Sequence, residues 1–328
     1  MKAWLLDEFN GIENLRLAEV PDPVPAADEV ILDVRYAALN PADQYLAVRQ
    51  YPAKPALPHI LGRDGMGTVS ATGSAVTAIR PGDRRAILRS DVGGNKPGTF
   101  AGKVAVPTEG LVEIPTGWSD QESAGATLVY LTAYQALTMW GPLPQSAVVL
   151  VSGASGGVGV ASVQLAKAMG YTVVALSRNA EKSRRLLQLG AATVLNPEDS
   201  QWRQAAKGQL APRRVDLAID NIGGKLLPEM IDTLGDCGRV SLVGRLAGPV
   251  PDFNTATLFF RRNRMGGVAV GAYTNAESRA AWQEVLRLMA QSGARPIIDS
   301  VFRFEEIKQA FARLAQGPMG KVLLEVGG

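Results

Sequence analysis

The stretch Val148–Gly170, VVLVSGASGGVGVASVQLAKAMG, decides the fold. It opens on a short apolar run suited to a buried strand, and its second half carries a helical pattern that stops at Gly170. Between the two stand Gly153, Gly156, Gly157 and Gly159. A dinucleotide pyrophosphate needs backbone close to its oxygens, N–H groups at a helix start and a helix packed tightly on its strand, and glycines permit all three. Ala154 takes the first glycine position of the usual GxGxxG pattern, so the strand–turn–helix setting carries the reading. The candidate pyrophosphate cradle is Ser155, Gly156, Gly157, Val158 and Gly159.

The next apolar run, TVVALSRNAEK from Thr172, chooses between cofactors. Sites for NAD usually end this strand with an acid that accepts from the ribose hydroxyls. Here Ser177 and Arg178 follow, a hydroxyl and a planar cation suited to the extra phosphate of NADPH, with Lys182 as a second cation. Glu181 is the residue that would serve NADH instead, and it fits equally as a first-turn helix acid. Further runs, VDLAIDNIGG from Val215 and RVSLVG from Arg239, alternate with amphipathic stretches such as EKSRRLLQLG. That rhythm indicates parallel βαβ units with helices on both faces of the sheet.

Upstream, residues 1 to about 118 are rich in Pro and Gly and hold short β-type runs: VILDVRYAAL from Val30, GTVSATG from Gly67 and KVAVP from Lys103. Downstream come two helix candidates, NAESRAAWQEVLRLMAQ and FEEIKQAFARLAQG, and a closing strand KVLLEV. The stretch RSDVGGNKPGTFAG from Arg89 reads as a mobile loop. The chain is expected to form a β-rich domain of residues 1–122 plus 267–328 and an α/β nucleotide domain of residues 123–266.

Composition bounds the function. The chain has 328 residues, 46% hydrophobic and 20% charged, an ordinary globular balance that predicts two domains. Thirty-four Lys+Arg against 31 Asp+Glu leave a net charge of +3 without a dense basic block, so neither nucleic acid nor a membrane surface is an expected partner. Cys237 is the only cysteine, which excludes an intrachain disulfide and suits a reduced cytoplasm. The acidic Asp7 interrupts any signal-type apolar run, and no apolar stretch is long enough to span a bilayer. One Cys and one His, His59, cannot assemble a Cys/His zinc site, so no metal is expected.

Several segments in order resemble the medium-chain dehydrogenase/reductase superfamily, and within it the zinc-free quinone oxidoreductases of the zeta-crystallin type. They are NPADQY (Asn40–Tyr45), LPHILGRDGMGTV (Leu57–Val69), PGDR (Pro81–Arg84), YLTAYQAL (Tyr130–Leu137), SGASGGVG (Ser152–Gly159), DNIGG (Asp220–Gly224) and GKVLLEV (Gly320–Val326). The resemblance covers nearly the whole chain. It implies a doubly wound Rossmann domain inserted in a GroES-like β-rich domain, with the active site in the cleft between them. It also implies a homodimer formed by pairing edge strands, for which RMGGVAVG from Arg264 is the candidate. Zinc-containing relatives carry Cys, His and Cys where this chain has Asn40, Arg63 and Leu128.

Hydride chemistry belongs to the nicotinamide, so the protein has chiefly to hold it against an acceptor and exclude water. The resemblance suggests Thr127 near the nicotinamide, Asn221 on the ribose or pyrophosphate edge, Val243 and Gly244 after the fifth strand, and Lys321 as further cofactor contacts. Asn40 and Tyr45 match residues that orient a carbonyl or the carboxamide. Tyr51 lies in YPAKPALPHILGRDG, which resembles a segment of enoyl-thioester reductases where a tyrosine donates a proton; a packing tyrosine is the alternative. Asp43 is expected to fix local structure, and Arg63 to be an anion contact or a surface charge. The expected activity is metal-free reduction of a quinone or enone by NADPH, a small-molecule reaction. A 2-enoyl-thioester reductase using Tyr51 and a non-catalytic NADPH-binding regulator are the two alternatives.

Overall fold

The computed structural model describes residues 1–249 and 253–327. The chain divides into two compact units, one of Met1–Leu128, Tyr273–Arg279 and Pro296–Gly328, the other of Val129–Ala272 and Ala280–Arg295. The first boundary therefore falls at Leu128, not between residues 122 and 123, because the buried hydroxyl of Thr127 bonds the Ile87 carbonyl within the first unit. The C-terminal part does not return whole to that unit. Residues 280–295 join the second, where the Arg295 carbonyl accepts from Gln164 Nε2 at 3.0 Å.

The first unit opens with β1 (Lys2–Leu6), β2 (Arg16–Glu19), β3 (Glu29–Ala38), helix α1 (Pro41–Ala47), β4 (His59–Ile60), β5 (Gly65–Thr72), β6 (Arg84–Ile87), β7 (Lys103–Pro107), β8 (Leu111–Glu113), the short α2 (Asp120–Ala124) and the start of α3 (Thr127–Thr138). The second continues with β9 (Val148–Val151), α4 (Gly157–Ala168), β10 (Thr172–Leu176), α5 (Ala180–Leu189), β11 (Thr193–Leu195), α6 (Trp202–Leu210), β12 (Val215–Asp220), α7 (Leu226–Thr233), β13 (Leu234–Leu242), α8 (Ala256–Phe259) and β14 (Arg264–Gly267). Helix α9 (Asn275–Ser292) begins in the first unit and ends in the second; β15 (Ile298–Arg303), α10 (Ile307–Ala315) and β16 (Lys321–Glu325) complete the first.

The first unit holds a three-stranded antiparallel sheet, β2-β1-β4, and a larger sheet in the order β15-β16-β3-β5-β6-β8, with β7 also on β3. Strand β3 organises the larger sheet. Its first half pairs with β7, its last residues pair with β16, and β5 runs along the whole strand. The core gathers Leu6, Leu32, Leu39, Leu61, Phe100 and Phe311. Phe100 and Phe311 meet edge to face, 5.9 Å between centroids, so α10 is packed on residues near position 100. The loop expected to be mobile is pinned there: Val92, Phe100 and Ala101 are buried, and a Cβ on Gly93 would lie 2.2 Å from the Gly62 carbonyl oxygen. Its glycines permit close backbone approach.

The second unit is a six-stranded parallel sheet in the order β11-β10-β9-β12-β13-β14. Chain order reverses between β9 and β12, the doubly wound arrangement in which ligands bind at the strand carboxyl ends beside the reversal. All four residues of β9 are buried, as a central strand covered on both faces requires. Strand β13 starts earlier than RVSLVG suggested. Its Gly-Asp-Cys-Gly opening reads as a turn, but a register shift between Val215 and Leu217 on β12 absorbs it. Among the described residues no helix is long and apolar enough to cross a membrane.

Candidate functional site

The turn after β9 forms as its glycines require. Gly153 has φ +55°, a left-handed conformation, and its carbonyl accepts from the Gly156 N–H at 3.0 Å. Gly156 is the N-cap of α4. A Cβ on Gly159 would lie 2.2 Å from the Gly153 oxygen and 2.6 Å from Ala154, so only glycine lets α4 start against the turn. Gly156 is different, since a Cβ there would meet nothing nearer than 3.5 Å. A methyl group there would sit in ordinary contact, without a clash. The N–H groups of Gly157, Val158 and Gly159 belong to the first helical turn and have no partner within the helix, which is where a phosphate is held.

Asn221 follows β12 and is locked to this turn. Its Nδ2 donates to the Ser152 carbonyl at 2.8 Å and its backbone N–H to Ser152 Oγ at 2.9 Å, while its Oδ1 is buried with no hydrogen-bond partner among the described residues. An orphaned acceptor at a strand carboxyl end suits a ribose hydroxyl donor. Asp220, buried and not singled out in the sequence, accepts from Ser152 Oγ and from the N–H groups of Ile222 and Gly223. The expected contacts at Val243 and Gly244 turn inward, because both N–H groups donate to the Asp220 carbonyl.

Ser177 directly follows β10, and its hydroxyl exchanges long bonds with Asn179. Arg178 is exposed and pairs with Glu198 at 3.2 Å. Exposed pairs of this kind are weak, so the guanidinium is available to a phosphate. Asn179 caps α5 by accepting from the Lys182 N–H at 3.0 Å, which puts Glu181 in the helix first turn.

The first unit carries a buried polar cluster around α1. Asn40 caps the helix, and its N–H donates to Asp43 Oδ2 at 2.9 Å. Lys321 Nζ donates to Leu39 O at 2.8 Å and to Asn40 Oδ1 at 2.7 Å, and it forms an ion pair with Asp64 Oδ2 at 3.2 Å. Lys321, expected at the cofactor, is buried and turned toward these groups of its own unit. Thr127 is also turned inward; its hydroxyl reaches Asp64 Oδ1 at 3.2 Å and Ile87 O at 2.6 Å. Burial pushes the Asp64 carboxyl above its usual range, and the Lys321 ammonium opposes that rise. Burial raises Asp43 too, against the pull of Arg63.

Arg63 links this cluster to Tyr51. Its Nε stands 3.5 Å from Asp43 Oδ1, its Nη1 donates to Tyr51 Oη at 2.8 Å, and its Cζ lies 4.3 Å from the Tyr51 ring centroid. Neither Nε nor Nη2 has a hydrogen-bond partner among the described residues. Arg63 is thus a largely covered, partnered cation and not a freely solvated surface charge. Asn40 has its oxygen on Lys321 and its Nδ2 on Ala38 O, and its side chain also hydrogen-bonds Asp64, so the amide is engaged within the cluster. Tyr45, partly buried, sits on α1. His59 is buried in β4 and its pKa is lowered to about 4, by burial first, so the ring is neutral.

The residues do not suit zinc. Among the described residues no three His, Cys, Asp or Glu side chains are grouped to hold a metal. At the positions of the relatives' ligands stand an engaged amide, a guanidinium and Leu128, and the fixed cations Arg63 and Lys321 already face the two carboxylates.

Two protein families match the chain: the alcohol dehydrogenase GroES-like domain over residues 26–116 and the zinc-binding dehydrogenase domain over residues 157–319. The quinone oxidoreductase of Lama guanicoe is 31% identical over 327 residues, covering 99% of this chain and 97% of that protein. A solved NAD-dependent alcohol dehydrogenase superposes with a TM-score of 0.91 at 28% identity, covering 100% of both chains. A mycobacterial protein solved with NADPH superposes at 0.90 with 25% identity, covering 99% of this chain and 100% of that one.

Proposed function

Because the chain belongs to the quinone oxidoreductase family of the medium-chain dehydrogenase/reductase superfamily, a family of NAD(P)-dependent oxidoreductases, we propose that it uses NADPH to reduce a small conjugated carbonyl compound, a quinone or an enone, without a metal. The observation that carries the cofactor half is the turn at Gly156. Room for a close approach at that glycine, first-turn N–H groups without an intrahelical partner, and an Asn221 Oδ1 with no hydrogen-bond partner among the described residues support a phosphate and ribose cradle. Relatives of this fold differ in cofactor, since one solved neighbour is described as NAD-dependent and another holds NADPH. The preference for NADPH rests on Ser177 and Arg178 standing where an acid would favour NAD.

When bound, the reduced nicotinamide supplies the hydride. The chain's own part is to bind the phosphates at Ser155–Gly159, to hold the extra phosphate at Ser177, Arg178 and Lys182, and to orient the acceptor through Asn40, Tyr45 and Tyr51. A specific observation keeps a second reading, the 2-enoyl-thioester reductase: Tyr51 Oη already accepts from Arg63, so its own hydrogen is free to be donated. The reading extends to a homodimer in a reducing cytoplasm. Its support is β14, which ends the six-stranded order with no further strand beside it among the described residues, and Cys237 as the only cysteine.

Loss of reduced-nicotinamide absorbance tests the reading, with NADPH and a panel of quinones, enones and enoyl thioesters, and NADH as control. Turnover with NADPH supports it, and the best acceptor chooses between the two reductases. Tight NADPH binding without turnover would instead favour a regulatory binder.

A further inference from the structure

The contact between Arg63 and Tyr51 constrains the direction of a proton, and its significance rests on the chain being a reductase. Arginine has donors only, so the 2.8 Å bond from Nη1 fixes the phenol's direction: the oxygen accepts there, and the O–H must point away from the guanidinium. The same guanidinium lies against the ring, 4.3 Å from its centroid. Two contacts from one planar group hold the tyrosine in both position and rotation. Arg63 is held in turn. Its side chain is 14% exposed, and its Nε faces the fully buried Asp43, whose other oxygen is fixed by the Asn40 N–H. A half-buried cation anchored on a fully buried carboxylate has little freedom to leave.

We propose that Arg63 is a positioning residue for Tyr51, aiming its O–H as a proton donor to carbon and thereby favouring α,β-unsaturated carbonyl acceptors over quinones. Hydride from the reduced nicotinamide forms a C–H bond at the β-carbon of the enone, and the C=C electron pair moves toward the carbonyl to give an enolate. That pair then takes the Tyr51 proton, forming the α C–H bond as the phenol O–H breaks; the phenolate, still bonded to Arg63, regains a proton from water. The acceptor gains two electrons and two hydrogens, and the nicotinamide is oxidised. A quinone differs because its developing charge sits on oxygen, which water protonates without help.

The test compares wild type with Arg63→Met, Arg63→Lys, Tyr51→Phe and the double variant Arg63→Met/Tyr51→Phe, measuring kcat and KM with NADPH for one enone and one quinone. The expected result is a fall of at least about tenfold in the enone-to-quinone ratio of kcat for Arg63→Met and for Tyr51→Phe. The double variant should be no worse than the worse single one, because both act through one hydroxyl. Arg63→Lys, which keeps a charged donor, should recover part of the ratio, and it carries the comparison if Arg63→Met does not fold. Equal losses with both acceptors, or multiplicative losses in the double variant, would overturn the assignment by showing a merely structural role. Failure of the function reading looks different, since the wild type would then reduce neither acceptor.

Discussion

No side chain fits between Gly159 and Gly153, because a Cβ on the first would stand 2.2 Å from the carbonyl oxygen of the second. Gly159→Ala is therefore expected to force α4 away from the turn, destabilising the protein by about 1–3 kcal/mol as overpacking does and weakening NADPH binding with it. Gly156→Ala has room within the protein and should cost less than about 1 kcal/mol as a poorer helix cap, yet lower NADPH affinity at least about tenfold. Thermal melting with and without NADPH separates the two. Wild-type affinity in Gly156→Ala would mean that the pyrophosphate does not approach there.

Arg178 is the residue whose removal should distinguish the two cofactors. Arg178→Ala removes one charge-assisted contact to the extra phosphate, so KM for NADPH should rise about tenfold while KM for NADH changes little. An equal rise for both cofactors would point away from a phosphate contact.

Lys321 is expected to matter through Asp64. Lys321→Met leaves a buried carboxylate without its cation and should cost about 3–5 kcal/mol in urea unfolding. The double variant Lys321→Met/Asp64→Asn should recover much of that loss, since the unpaired charge goes too. A double variant as unstable as the single would show that packing, not charge, dominates.

His59 should set part of the acid limb of stability. Its pKa falls from 6.5 to about 4 on folding, so the unfolded chain binds the proton first as pH drops. Its contribution is full above pH 6.5 and is lost as pH falls toward 4, at most about 3 kcal/mol. His59→Phe should flatten the stability profile across that window. An unchanged slope would mean that the ring is protonated in the folded state as readily as in the unfolded one.

Prolonged dialysis against a zinc chelator should leave turnover unchanged, and added zinc should not raise it. A loss restored by zinc would show that a donor set other than the one at Asn40, Arg63 and Leu128 binds the metal.

Much of the fold was legible because parallel strands covered on both faces leave unbroken apolar runs, as in VVLV and TVVAL, and glycines mark where such strands turn into helices. Strand β7 matches KVAVP residue for residue. What escaped was long-range. Nothing local in GRDGMG says that Asp64 will meet Lys321, 257 positions on, or that Gly93 is spent on close approach to Gly62 and not on flexibility. The same limit explains the cofactor residues. Thr127 and Lys321 have suitable side chains, but the sequence does not show that they are turned onto Asp64, Ile87, Leu39 and Asn40.

The pairing of β16 with β3 also bears on how this protein is made. Leu323, Leu324 and Glu325 stand opposite Ala38, Ala37 and Tyr36, so the end of the first unit's central strand lacks this partner until nearly three hundred further residues have been synthesised. During that interval the second unit, Val129–Ala272 with Ala280–Arg295, is synthesised in full, all six of its strands included. The order of assembly on the ribosome is then the reverse of the order of residues: the later segment matures first, and the earlier one waits, with an open edge that invites chaperones or mispairing.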